Sequence, residues 1–448
     1  MSKLFHITFL NLFLIFLALI FLLVSFTSVV KAENSAPRIE WQKLFGGSES
    51  DSALSIQQTS DGGYIIAGYS DSNDGDVTGN HGKDDYWIVK LDSMGTLKCQ
   101  KSFGGSEIDQ AYSIHQTSDG GYIIAGYSSS YDGDVTGNHA YEDYWIVKLN
   151  SLGTLQWQKS LGGNGTDRAY SIQQTSDGGY IIAGISNSNN GDVTGDHMKG
   201  DYWIVKLDSL GTLQWQKSFG GSRRDFAYCI QQTSDGGYII AGESWSNDGD
   251  VTGNHGKGDY WIVKLDSLGI LQWQKSFGGS NQDFPYSIQQ TSDGGYIVAG
   301  ESWSNDGDVT GNHRQQNYWI VKLDSLGILQ WQKSLGGSDS EQANSIQQTS
   351  DGGYIIAGHS ESNDGDVTGN HGKNDYWIVK LNSQGTLQWQ KSFGGSGSDS
   401  ATSIQQTSDG GYIIAGSSYS NDGDVKGNPG KYNDYWIVKL QGQENVQR

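Results

Sequence analysis

Cysteine, proline and methionine are nearly missing from this chain of 448 residues, which holds two, three and three of them. The cysteines, Cys99 and Cys229, fall on different strands of different sequence repeats. A disulfide between them is not expected, so stability has to come from packing. Positive charge is scarce as well. Lys and Arg number 29 against 50 Asp and Glu, and the formal net charge is −21. Such an excess repels polyanions, which argues against nucleic acid or an anionic membrane surface as partner. No segment carries a helical period, which excludes a helical solenoid. No Ser-His-Asp set, P-loop or dinucleotide fingerprint stands out. Disorder is excluded by what is abundant: 64 Gly set among aromatics that make up 12% and recur at fixed positions.

What is present is repetition. The stretch DGGYIIAG, a polar loop, DYWIVKL and TLQWQKSFGG returns until the chain ends. The Tyr-Trp pair marks the count: Tyr86-Trp87, Tyr144-Trp145, Tyr202-Trp203, Tyr260-Trp261, Tyr318-Trp319, Tyr376-Trp377 and Tyr435-Trp436. The step is 58 residues, and 59 for the last copy, whose longer loop includes Asn433. Seven copies predict a closed or stacked repeat fold.

Each copy reads as four strands. Ala53–Thr59 and Gly63–Ser70 flank an Asp-Gly-Gly turn, a strong hairpin signal. The second of them is apolar throughout, as in a strand buried on both faces. Tyr86–Leu91 is β-branched and aromatic. The fourth strand, as in Thr154–Leu161, alternates and should turn one polar face to water, as an outermost strand does. Four antiparallel strands per repeat of this length mark a β-propeller blade, so the predicted fold is an all-β, seven-bladed β-propeller. A lone fourth strand, Ile39–Gly47, precedes the first copy, and none follows Tyr435–Leu440. The N-terminal strand should therefore complete the last blade and close the ring, removing an exposed edge. The expected domains are residues 1–32 as leader, 33–38 as linker, 39–440 as propeller and 441–448 as tail.

The leader starts at Lys3, runs apolar from Ile7 to Val30 and ends Val30-Lys31-Ala32. This predicts a signal peptide cut after Ala32, or an uncleaved anchor that would be the only tie to a membrane. Either way the repeats are exported, to the periplasm, the cell surface or beyond. No cysteine occupies a lipobox position. DGGYIIAG with DYWIVKLDSxGTLQWQKSFGG resembles the repeats of exported bacterial and archaeal propellers, the delta-sixty and related surface-propeller groups. The resemblance covers residues 39–440 and implies a surface binding module, with no catalytic residue set to carry over.

Strand order sends the fourth-to-first and second-to-third loops to one face, where the copies also differ most, as at Glu49-Ser50, Glu107-Ile108 and Arg223-Arg224. Loop variation on a rigid scaffold suits binding. Trp245 and Trp303 replace Asp71, Ser129, Asn187, Glu361 and Tyr419 of the other copies, and lie near Glu243, Glu301, Arg223, Arg224, Phe226 and Phe284. Exposed aromatics flanked by polar groups suit a glycan or an extended peptide. A second candidate is Ca²⁺ on the NDGD loops: Asp74 and Asp76, Asp132 and Asp134, Asp248 and Asp250, Asp306 and Asp308, Asp364 and Asp366, Asp422 and Asp424, with Asn190 and Asp192 in the third copy. Their spacing does not match an EF-hand, and Asp-Gly is also turn chemistry. A further acid opens each first strand (Asp51, Asp109, Asp167, Asp225, Asp283, Glu341, Asp399) and would either ring the channel mouth or cap backbone amides. The loop histidines, His81, His139, His197, His255, His313 and His371, with Pro429 in the seventh copy, come one per blade. They are too far apart to share a metal and read as loop structure. The expectation is a monomeric, exported, non-enzymatic binding or scaffold module. The alternatives are a polysaccharide-acting lyase or hydrolase, or a calcium-dependent lectin.

Overall fold

A computed structural model describes residues 36–442, apart from Asp196, Met198, Arg314 and residues 429–431. The leader and Pro429 lie outside the described residues. So does most of the tail. The compact unit begins at Pro37.

Among the described residues all regular structure is strand, from β1 (Ile39–Phe45) to β28 (Asp434–Leu440). Seven four-stranded antiparallel sheets form the blades. Blade one runs β2 (Asp51–Gln58), β3 (Tyr64–Ser70), β4 (Asp85–Leu91) and β5 (Leu97–Phe103), in that spatial order. First strands touch the first strands of both neighbours, which makes them the inner ring. The first and third strands start one or two residues earlier than the alternation predicts, because Asp51 and Asp85 already pair with Ser70.

The core lies between blades. Ile65, Ala67, Tyr86 and Ile88 of blade one pack with Ala111, Ile124, Trp145 and Val147 of blade two, while Ile66, Trp87 and Val89 face blade seven. That is why YIIAG is apolar at every position: both faces of the strand are buried. Tyr86 donates its hydroxyl to the Trp145 carbonyl across the seam at 2.8 Å, and the two rings lie 4.5 Å apart. On the inner ring, Ile114 N–H donates to Ser55 Oγ and Gln116 N–H to Gln57 Oε1. Gly68 sits where a Cβ would strike the Ser52 carbonyl and stand 2.6 Å from Tyr435 Oη, so only glycine fits.

The ring closes as expected. β1 pairs antiparallel with β28, from Ile39 opposite Leu440 to Phe45 opposite Tyr435. Trp436 Nε1 donates to Gln42 Oε1 at 2.7 Å, as Trp87 does to Gln100 within blade one. The seam between blades seven and one repeats the others, with Tyr435 Oη on the Trp87 carbonyl and Gln58 N–H on Gln405 Oε1.

The fourth strands correct one expectation. A register shift near Lys148 and Leu149 breaks the expected alternation, and Gln158 is half-buried, accepting the Trp145 indole N–H. Lys159 beside it is exposed. Both cysteines are free, Cys99 exposed and Cys229 packed beneath blade five, where burial pushes its thiol up to about 12.

Candidate functional site

The two variable loops of a blade meet over its end, and a cleft opens between them. In blade four it is about 460 Å³ and lined by Ser222, Arg223, Trp245, Asn247, Asp248 and His255. In blade two the same cleft is about 660 Å³, with Glu107, Ser129 and Tyr131 at the matching places and Tyr141 added to its lining. Tyr131 and Tyr141 are 63% and 74% exposed. Two cleft floors are built alike and lined differently, which is the arrangement a set of ligand contacts requires.

Arg223 and Trp245 are thus brought together. Trp303 is not in that cleft; it stands 41% exposed one blade away. Glu243 and Glu301 depart from expectation. They are only 5% and 4% exposed, so they cannot flank a ligand as surface acids. Glu243 instead holds the tryptophan: Trp245 Nε1 donates to Glu243 Oε2 at 3.0 Å, and Tyr228 Oη donates to its other oxygen at 3.1 Å. Burial drives the Glu243 carboxyl up, against these donors, and raises Glu301 to about 7. Glu301 takes a hydrogen bond from Gln316. Trp245 is therefore half-buried and fixed, lying over Gly258 beside Phe284. The Arg224 guanidinium turns away from the cleft and sits 4.4 Å over the Phe226 ring.

A second group of residues escaped the sequence reading. Each first strand carries a bulge, which in blades two to five falls on Tyr112, Tyr170, Tyr228 and Tyr286. A bulge re-aims its side chain. These four partly buried rings follow one another around the inner ring at centroid separations of 5.0, 5.6 and 5.3 Å. The other copies have Leu54, Asn344 and Thr402 there. Comparing the seven copies column by column inside the strands, rather than only in the loops, would have found this arc. Beside it Arg168 grips Glu142 with both arms, at 2.5 and 2.7 Å, and lies 4.6 Å over the Tyr127 ring.

The acidic loops serve the scaffold first. Asp74 Oδ1 accepts the Ser48 amide at 2.7 Å, and Asp132, Asp248, Asp306, Asp364 and Asp422 do the same for Ser106, Ser222, Ser280, Ser338 and Ser396. Asp76, Asp134, Asp250, Asp308, Asp366 and Asp424 each face the amide of the glycine that follows a fourth strand, at 3.3 to 3.4 Å. In Asp132 these amide bonds, led by Ser106, hold the carboxyl below its usual range. Among the described residues no three His, Cys, Asp or Glu side chains gather as a metal ligand set. The acids opening the first strands cap amides and do not ring a mouth. Asp109 is fully buried, and its Oδ2 takes Gly105 N–H and Ser130 Oγ–H at 2.8 and 2.9 Å. The histidines hold their loops: His81 donates its backbone N–H and approaches through Nδ1, at 2.6 Å, the same oxygen of Asp85.

No family model matches the chain. Among curated proteins it is similar to regulatory protein FlaEY of Caulobacter vibrioides, 28% identical over 143 residues, which is 28% of this chain and 14% of that one. The chain thus spans far less than two thirds of that relative. Among solved structures it is similar to the Neurospora crassa Pan2 WD40 domain, with TM-score 0.48 and 11% identity over 90% of this chain and 98% of that one. It is also similar to BamB from Moraxella catarrhalis, with TM-score 0.42 and 13% identity over 91% and 97%.

Proposed function

We propose that this propeller is an exported or cell-surface binding module that holds an extended glycan or peptide across the loop face of blades two to five. One observation carries the reading. Seven blades of nearly one sequence concentrate their differences at the ends the fold turns to one side, and there the side chains are Tyr131, Tyr141, Arg223, Trp245 and Trp303. Fixed aromatic platforms lose little entropy on binding, and Arg223 offers paired donors to hydroxyls or carboxylates. The basic, apolar and V-K-A pattern of residues 1–32 supports export.

The test is a panel of surface glycans and peptides probed with the wild type, Trp303→Ala and the double variant Trp303→Ala/Arg223→Ala. Both positions accept other residues in other blades, so the melting temperature should hold. Affinity for the retained ligand should fall by about 2–4 kcal/mol, or roughly 30- to 1000-fold. A variant that folds and binds unchanged would move the site off these blades. Release of cleaved glycan by the wild type would replace this reading with a polysaccharide-acting enzyme.

A further inference from the structure

Six of the seven seams between blades bury two acidic side chains beside each other. In the first it is Asp85, which opens the third strand of blade one, and Asp109, which opens the first strand of blade two. Both are fully buried, and a Cβ on Gly104 would stand 2.6 Å from Asp85 Oδ1 and from Asp109 Oδ2 alike. The same pairs meet over Gly162 (Asp143 and Asp167), Gly220 (Asp201 and Asp225), Gly278 (Asp259 and Asp283), Gly394 (Asp375 and Asp399) and Gly46 (Asp434 and Asp51). Donors are shared unequally. Asp109 receives Gly105 N–H and Ser130 Oγ–H. Asp85 Oδ2 faces the His81 amide and ring, but Asp85 Oδ1 has no partner, and neither does Oδ1 of Asp143, Asp201, Asp259 or Asp375; across the seams Oδ1 of Asp51, Asp109 and Asp167 is also without one. A buried carboxylate oxygen without a partner, set over the same glycine as a second carboxylate, shifts the pair toward holding a proton.

The seam between blades five and six shows what is missing. There Asn317, fully buried, stands in place of the third-strand acid, opposite Glu341. A backbone N–H can only donate, so the His313 amide at 3.1 Å fixes Asn317 Oδ1 on its side. The amide must then turn Nδ2 to Glu341, and it donates to Oε2 at 3.0 Å. A cation site would have needed the opposite orientation, with oxygen toward the acid. The position calls for a hydrogen.

We infer that each Asp–Asp seam holds one shared proton, carried on the third-strand acid and donated to the first-strand acid of the next blade, so that the ring is a set of proton-binding seams which tighten in mildly acidic surroundings. Burial, against the His81 contacts, raises Asp85 to about 7, and burial raises Asp109 to about 6. The other titratable groups facing the first seam are His81, lifted by Asp85 against the effect of its burial, with Asp134 near it, Asp132 behind Asp109, and the Tyr86 hydroxyl, which burial and Asp109 push up. A carboxyl raised on folding stabilises the fold at acid pH, and that contribution is lost as pH climbs through its folded value. Deprotonation leaves two buried negative charges over Gly104, at the root of the loop that carries Ser106 and Glu107 to the blade-two cleft.

Melting temperature is to be followed from about pH 5 to pH 8 in the wild type, in Asn317→Asp, and in the combined Asp85→Asn, Asp143→Asn, Asp201→Asn, Asp259→Asn and Asp375→Asn variant. The wild type should lose stability as pH rises. Asn317→Asp, which adds a seam, should steepen the fall, and the fivefold variant should flatten it. The infrared carbonyl band of protonated carboxyl groups, recorded near pH 6, should grow in Asn317→Asp and reads the proton directly, even where the fivefold variant fails to fold. Equal slopes with an unchanged band would overturn the inference. A calcium-dependent rise in melting temperature that Asn317→Asp enlarges would overturn it too, in favour of a cation.

Discussion

At Cys99 the chain departs from its own pattern and leaves a gap. Trp157, in the same column of the next copy, packs edge-on against Tyr180 of the following blade at 5.8 Å and covers Gly211, whose Cβ would touch it at 3.1 Å. Trp41, Trp215, Trp273, Trp331 and Trp389 make the same contact with a tyrosine. Under Cys99 the matching glycine, Gly153, meets nothing closer than Lys101 at 4.0 Å. Cys99→Trp should therefore fill a vacant place against Tyr122 and stabilise the fold by about 1–2 kcal/mol, read as a higher denaturant midpoint. An unchanged midpoint would mean that the blade-two edge is shaped differently from its copies. The column of Trp was legible in the sequence. That it bridges blades was not, because the bridge joins residues that only ring formation brings together.

Among the elements, β1 carries the most consequence for its length. It supplies the outer strand of a blade whose other three strands lie at the far end of the chain, and it buries Phe45 and half-buries Trp41. Deleting residues 33–47 should cost roughly 3–6 kcal/mol from those two side chains alone. It should also expose the β28 edge, so that the truncated protein melts lower and self-associates in sizing experiments. A melt equal to that of the full chain would mean the ring closes without β1. Closure was legible from a count of strands at the two termini. The bulges that aim Tyr112, Tyr170, Tyr228 and Tyr286 were not, since a bulge is a matter of register between strands and a single strand does not display it. The fate of Glu243 was hidden for a similar reason: its neighbours look exposed in sequence, and only the cross-strand partners Phe226 and Tyr260 put it inside.

For the whole molecule, the turn aspartates of seven blades and the paired acids of six seams pull stability in opposite directions along the pH axis. Each Asp-Gly-Gly turn carries an aspartate such as Asp177; burial alone would raise it, but Thr175, Lys206 and the Gly179 amide outweigh that and lower it to about 2. A carboxyl lowered on folding stabilises above its unfolded value near 3.8, and that contribution disappears as pH falls toward 2. The seam acids act the other way and lose their contribution between about 4 and 7. Two half-buried imidazoles, His115 and His359, lowered to about 4 by desolvation, oppose the seams below pH ~6.5. Stability should thus peak on the acid side of neutrality and fall toward both ends, as thermal melts across the range would show. A maximum well above pH 7 would contradict this balance.

The sequence by itself determined the blade, the number of blades, their order and the closing strand, because all of these follow from a period and from local alternation, and each copy reads the same way. Only the tertiary structure decided which acids are buried, which aromatics face one another around the inner ring and which loop residues share a cleft. Those facts depend on what one blade presents to the next. In sequence Asp85 ends a loop and Asp109 opens a strand, 24 residues apart, and it is the packing of two blades over Gly104 that buries them side by side.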